Sequence, residues 1–483
     1  MSYPNVTIDF ERHLREWDGF GVNYVETSQT RDYSEWSQDY GGFSQLSESE
    51  RQEIIKLIFG EDGLKPGITK MFLDIWHEGD TIKDNDNKDP WKLNMKRFNH
   101  EETTEWMRYF NREGLKTTRA RGGDLKTLTT LYGPPQWATM QGYVNGRDLD
   151  PAMREELAEY MVSWVKYLRE EANLPVVALS MHNEGDAYYR WPPDGDGPGL
   201  DEEDYNMYWP AEQVVTMMPI VRKMLNHHDL DDVMLTPGET QTWSRFHMWG
   251  FAPGILADKS ALNSLGLISS HSFAVYDAMD SRFYGDWRSN GNDMLRLGKA
   301  ESMDEVEDLH SWVMSMSWGQ MDAHFIDAVR RNIYMTKVNA VTPWAIIQRP
   351  TQWKGGDPNP RTAFHVTEDG EFQILKGYYT YKQVTRAGQP GMAVAHVESL
   401  DPAVNAIAFA ANGTDNTDAF VLVNIAEDSK DTQITLRNTS NGTFTAYRTT
   451  DNEDYKSIGK FEVTDGVLRY EAPAESVTTF FME

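Results

Sequence analysis

From Trp17 to about residue 375 the chain alternates two patterns. Short, nearly unbroken apolar runs suit strands buried on both faces. Between them, apolar residues recur every three or four positions, the stripe of an amphipathic helix. This alternation predicts strands at Trp17 to Tyr24, Ile68 to Trp76, Thr127 to Tyr132, Leu174 to Glu184, Val233 to Thr236, Gly266 to Ser270, Met294 to Lys299 and Ala340 to Ile347. Helices are expected between them. One is capped by Ser47 with Glu50 three residues on, and one spans Glu101 to Glu113, ended by Gly114. Another opens at Asp150-Pro151 and runs to Glu171, and two more cover Ala211 to Asn226 and Ala323 to Val338. Eight strands with intervening helices predict an α/β fold, a (β/α)8 TIM barrel over residues 16–375. No Gly-x-Gly-x-x-Gly or P-loop follows a strand, so no nucleotide cofactor is expected.

The pattern changes after about residue 385. Short β-prone runs, Ala406 to Ala411, Ala419 to Asn424, Thr432 to Leu436, Thr443 to Arg448 and Ser476 to Met482, lie between turn clusters. They predict a C-terminal β-sandwich side domain, residues 385–483, to which residues 1–15 add an edge strand through Val6-Thr7-Ile8. The segment Pro192 to Asp204, rich in Gly, Pro and acid, is expected to form a lip over a cleft.

Composition narrows the partners. The 483 residues carry a net charge of −29, which disfavours nucleic acid and anionic membrane surfaces. With no cysteine there is neither a disulfide nor a thiolate ligand or nucleophile. No run reaches the length of a membrane span. Met1-Ser2-Tyr3-Pro4 is not a signal peptide, so the expectation is a secreted or periplasmic protein whose leader is absent from this chain, with a cytoplasmic one as the alternative. The 16 Trp, 22 Tyr and 20 Phe exceed what a barrel core of branched aliphatics takes up. Aromatic faces stack on sugar rings, although such rings also fill any large core.

The chemistry centres on Ser180-Met181-His182-Asn183-Glu184. A strand ending in Asn-Glu places an amide beside a carboxyl group on the face where barrel active sites lie. The carboxyl group can protonate a leaving oxygen and the amide can hold a neighbouring hydroxyl, the equipment of glycoside hydrolysis. A strand end capped by a solvated Asn-Glu pair is the plainer alternative. His227-His228 point about 100° apart on a helix and do not chelate together, so no catalytic metal is expected. Acidic loops such as Asp84 to Asp89 leave a structural calcium ion open.

Several scattered motifs resemble a clan A glycoside hydrolase, most closely glycoside hydrolase family 30. Gly19-Phe20-Gly21 resembles the family's first-strand Gly-Phe-Gly, and Pro134-Pro135-Gln136-Trp137 its Ser-Pro-Pro-x-Trp. Ser180 to Glu184 resembles Ser-x-Gln-Asn-Glu, with His182 for Gln and Gly185 where Pro is usual. Tyr378-Tyr379 through Gly391 resembles the run leading into the family's side sandwich. The resemblance implies a retaining hydrolase of a β-linked polysaccharide or oligosaccharide, working by a two-carboxylate double displacement. Glu184 is then the acid/base. Its partner is expected across the barrel at the end of the seventh strand, which places the nucleophile at Glu301 in Leu297-Gly298-Lys299-Ala300-Glu301-Ser302.

Around this pair, Asn183 is expected to bind the 2-hydroxyl. Glu239, ending the fifth strand, is expected to bind substrate, a polar loop residue being the alternative. His271 ends the sixth strand and resembles the His-x-Tyr near the clan's nucleophile. Trp344, Trp137 and Trp76 end the eighth, third and second strands and are expected to line the cleft. Tyr188 and Trp191 flank the lip and are expected to stack on distal sugars. Two other readings stay open: a non-catalytic carbohydrate-binding protein on the same barrel, and a transglycosylase.

Overall fold

The computed structural model describes residues 5–26, 41–73, 89–93, 95, 104–142, 146–186, 206, 208–273, 285–302, 309–349 and 361–483. Eight parallel strands form a barrel: Gly19–Asn23, Ile68–Leu73, Lys126–Leu131, Val176–Ser180, Met234–Thr236, Ile268–His271, Ser311–Ser315 and Ala340–Val341. The eighth closes onto the first through Gly19 opposite Ala340. Between the fifth and sixth, closure rests on Leu267 N–H to Leu235 O and His271 N–H to Thr240 O, at 3.2 and 2.8 Å.

Ile68, Leu128, Ala178, Leu267, Trp312, Met314 and Ala340 pack together in one apolar cluster. Side chains two apart on a strand share a face. The positions after Ile68, Leu128 and Ala178 on that face are therefore Lys70, Thr130 and Ser180, all buried. The interior thus turns from apolar to polar toward the C-terminal ends of the strands. At the opposite end, Asp18 accepts hydrogen bonds from Lys126, His310 and Trp312 at 2.9, 2.6 and 2.7 Å, tying three strands together.

Helices cover the barrel much as the periodicity predicts. Ser47 caps Glu48–Phe59 in a complete capping box with Glu50. Three elements differ. The helix Glu105–Ala120 runs through Gly114 instead of ending there. Gly114 packs against the buried Phe59 ring, and a Cβ on it would lie 2.6 Å from Phe59 Cζ. Gly114→Ala should therefore cost about 1–3 kcal/mol by overpacking, outweighing the ~1 kcal/mol that Ala gains in helix propensity. Denaturant unfolding checks the sign, and a stabilised variant would show that the contact has slack.

The second difference matters for the site. Met294 to Lys299 is not a strand but part of the helix Gly285–Ser302. Its apolar residues serve the helix: Leu295 is buried, while Met294 and Leu297 are exposed. Arg296 anchors this helix to the carbonyls of Leu309 and Lys337. The seventh strand is Ser311–Ser315, buried at every position. The eighth is also shorter than expected. Beyond Val341 the regular pairing stops, but Thr342 and Trp344 N–H still donate to the carbonyls of Val313 and Met316, and Ile346 N–H to that of Asn23, before Ile347–Gln348 joins a small sheet with Phe364–Val366 and Phe372–Ile374.

The C-terminal β-sandwich is built on a nine-stranded, mostly antiparallel sheet. Asn5–Glu16 is not at its edge. It lies between Ala393–Ser399, antiparallel, and Lys430–Arg437, parallel. Its Val6, Ile8 and Phe10 join Phe420, Phe444 and Phe480 in a core of their own. Trp17 follows directly and packs on both Phe20 of the barrel and Phe409 of the sandwich, with ring centroids 4.8 and 5.3 Å away. Among the described residues no helix is long and apolar enough to cross a membrane.

Candidate active site

The ends of the fourth and fifth strands are locked together. Glu184 N–H donates to Glu239 O at 2.7 Å, and Glu239 N–H donates to His182 O at 2.9 Å. This exchange turns Glu184 into the left-handed region at φ 49°, a conformation that costs a non-glycine residue about 1–3 kcal/mol and concentrates at functional sites. Its side chain keeps 13 % exposure, whereas that of Glu239 has none.

A row of alternating charge runs inward from Glu184. Glu184 Oε1 lies 3.0 Å from His271 Nδ1, and Glu184 Oε2 accepts from Gln241 Nε2 at 3.0 Å. The other ring nitrogen, His271 Nε2, is 2.8 Å from Glu239 Oε2. Glu239 is ion-paired to Lys70 and accepts from Thr130 Oγ1 at 2.6 Å. Burial disfavours the Glu239 anion, but Lys70 and His271 overcome it and hold the carboxyl group well below the usual range. Burial also opposes charge on His271, yet hydrogen bonds to Glu184 and Glu239 raise its pKa above that of an ordinary imidazole.

Neighbouring groups support this row. Asp186, buried, accepts from Gln241 N–H and Arg245 at 3.0 Å each. Burial, and then Glu184, push its pKa up against the pull of Arg245. Asn183 donates to Asn206 Oδ1 at 2.9 Å. His182 packs against the rings of Trp209 and Phe251 and accepts from Gly185 N–H through Nδ1 at 3.1 Å. Burial lowers its pKa to about 3, so it stays neutral.

The structure brings together Glu184, Asn183, Glu239 and His271. Trp344 is half-buried, edge-on to Phe72 at 5.9 Å, and Trp137 is half-buried against Tyr160 at 6.2 Å. Trp76, Tyr188, Trp191 and the segment 192–204 lie outside the described residues.

Glu301 is the correction. It sits exposed in the last turn of the helix Gly285–Ser302 and not at a strand end. After the true seventh strand the chain reads Met316-Ser317-Trp318-Gly319-Gln320-Met321, so no carboxylate appears before Asp322, which caps the next helix. Lys70, Thr130, Gln241 and Arg245 were missed from the sequence. Lys70 carried a usable signal: a lone cation inside Ile68-Thr69-Lys70-Met71-Phe72-Leu73 must meet an anion once buried.

No family model matches the chain, and no curated protein matches it. Solved structures do. The catalytic domain of a family 30 xylanase C from Talaromyces cellulolyticus superposes with a TM-score of 0.71 at 14% identity, covering 99% of this chain and 100% of its own. A family 30 endoxylanase from Clostridium papyrosolvens gives 0.65 at 16%, covering 99% and 100%. An endo-β1,6-glucanase gives 0.68 at 13%, covering 99% and 95%. At such identities the likeness establishes the fold: the (β/α)8 barrel with side sandwich expected from the alternation of apolar patterns.

Proposed function

We propose that this protein is a glycoside hydrolase acting on a β-linked polysaccharide or oligosaccharide, with Glu184 as the group that gives and takes the proton. The observation that carries the reading is the placement of Asn183-Glu184 at the end of the fourth strand, joined there to a buried row of charge. Glu184 is the partly exposed member of that row, so a glycosidic oxygen can approach it. The similar structures bear the names of xylanases and a β-glucanase, which supports a β-linked glycan as substrate.

Double displacement requires a second carboxylate about 5–5.5 Å from the first. Glu301 lies on an outer helix, and the seventh strand ends at Ser315 and is followed by Met316-Ser317, so neither place brings a described carboxylate to Glu184 for a double displacement. Glu239 is fully buried and already takes up Lys70, Thr130 and His271, which makes it a poor attacking group.

That same strand end favours a second reading, a carbohydrate-binding protein on a barrel that no longer turns over. Reducing-end release from xylan, β-1,6-glucan and other β-linked glycans separates the two. Product release that disappears in Glu184→Gln supports the hydrolase. Binding without release, by wild type and variant alike, supports the binding protein.

A further inference from the structure

We propose that His271 is a positioning residue that keeps one proton shared between its Nδ1 and Glu184 Oε1, with Glu239 fixing the imidazole from the far side. The inference rests on the hydrolase reading for its catalytic meaning, but its geometry stands alone. His271 is almost fully buried and has a carboxyl oxygen on each ring nitrogen, at 3.0 and 2.8 Å. Glu239 already receives Lys70 and Thr130, so it is the poorer base and remains an acceptor. Nε2 therefore keeps its hydrogen and donates it to Glu239.

That leaves Nδ1 facing Glu184. A neutral imidazole facing a carboxylate would set lone pair against lone pair. One proton between them removes the repulsion, whether it is drawn as imidazolium with carboxylate or as imidazole with carboxylic acid. The pair titrates as a unit. The charged and titratable groups around it in the described structure are Lys70 from the second strand, His182 and Asp186 after the fourth, Glu239 after the fifth, and Arg245 beside Asp186. His182 stays neutral, and Asp186 is matched by Arg245. The raised pKa of His271 agrees with a pair that holds its proton toward neutral pH.

In hydrolysis the glycosidic C–O bond breaks with its electron pair on the leaving oxygen. That oxygen takes the proton through Glu184, leaving imidazole and carboxylate. The water that completes the reaction adds its hydroxyl to the sugar and returns its proton to the pair. A general acid normally needs a nearby anion or an apolar wall to stay protonated. Here the shared proton does that work, at a site whose seventh strand brings no carboxylate.

The test has two independent readouts. Nitrogen-15 chemical shifts of His271 should show Nε2 protonated at all pH values, with Nδ1 titrating above an ordinary imidazole. Glu184→Gln should lower that midpoint by at least one pH unit. An ordinary midpoint, or one that Glu184→Gln does not move, overturns the proposal whether or not the protein hydrolyses anything. For turnover, Glu239→Gln and His271→Gln, first verified as folded by thermal unfolding, should move the alkaline limb of kcat/KM downward on an unactivated glycan. An equal loss at every pH would mean a merely structural role and would also overturn it. Absence of hydrolysis by the wild type, with the nitrogen-15 result as expected, would reject the hydrolase reading and leave the shared proton standing.

Discussion

Glu184→Gln should lower kcat on an unactivated β-linked glycan by about 10²- to 10⁴-fold, the range that a positioned proton donor contributes. KM should change little, because the amide is nearly isosteric and still reaches His271 and Gln241. An aryl glycoside with a good leaving group should lose far less, since its departing oxygen needs no proton. Steady-state kinetics on the two substrate types measures the contrast. Equal losses on both would remove Glu184 from proton transfer and leave it a binding residue.

Lys70→Met should be the most destabilising single change near the site. Lys70 and Glu239 are both fully buried, and the substitution leaves an anion in the barrel without its main counter-charge. Removing one partner of such a pair costs about 3–5 kcal/mol. The sign of the pH dependence follows from Glu239. Its folded pKa is depressed, so its stabilising contribution is present above the ordinary carboxylate value and is lost as pH falls through the depressed one. In Lys70→Met the carboxyl group protonates more readily, so the deficit should shrink in acid. The double variant Lys70→Met/Glu239→Gln should recover part of the loss at neutral pH, because it also removes the stranded charge. Denaturant unfolding at neutral and acid pH tests both expectations. A single-variant loss below about 1 kcal/mol would mean that water or a rearrangement reaches Glu239.

Much of the architecture is legible because strands buried on both faces leave unmistakable apolar runs. Ile68–Leu73, Val176–Ser180 and the capping box at Ser47 lie where the pattern puts them. The seventh strand shows how that reading fails. Met294, Leu295 and Leu297 make a run as apolar as a short strand, and only burial reveals that two of the three face outward from a helix. Ser311–Ser315 carries two serines yet is wholly buried, because each hydroxyl has a partner: Ser311 accepts from Arg296 and donates to the Lys337 carbonyl, and Ser315 accepts from Asn23.

The candidate site divides in the same way. Asn183-Glu184 is recognisable because this candidate pair follows its strand directly in the chain. Lys70 and His271 stand on the second and sixth strands and Glu239 just after the fifth, 169 residues separating Lys70 from Glu239, and no local pattern couples them. Chain order and hydrophobic period therefore specify the barrel, the sandwich and one catalytic candidate. Which charges meet inside the barrel, and that Glu301 meets none of them, depends on strand register and on side chains converging from distant segments. Those are properties of the closed barrel, where burial makes each charge choose its partner.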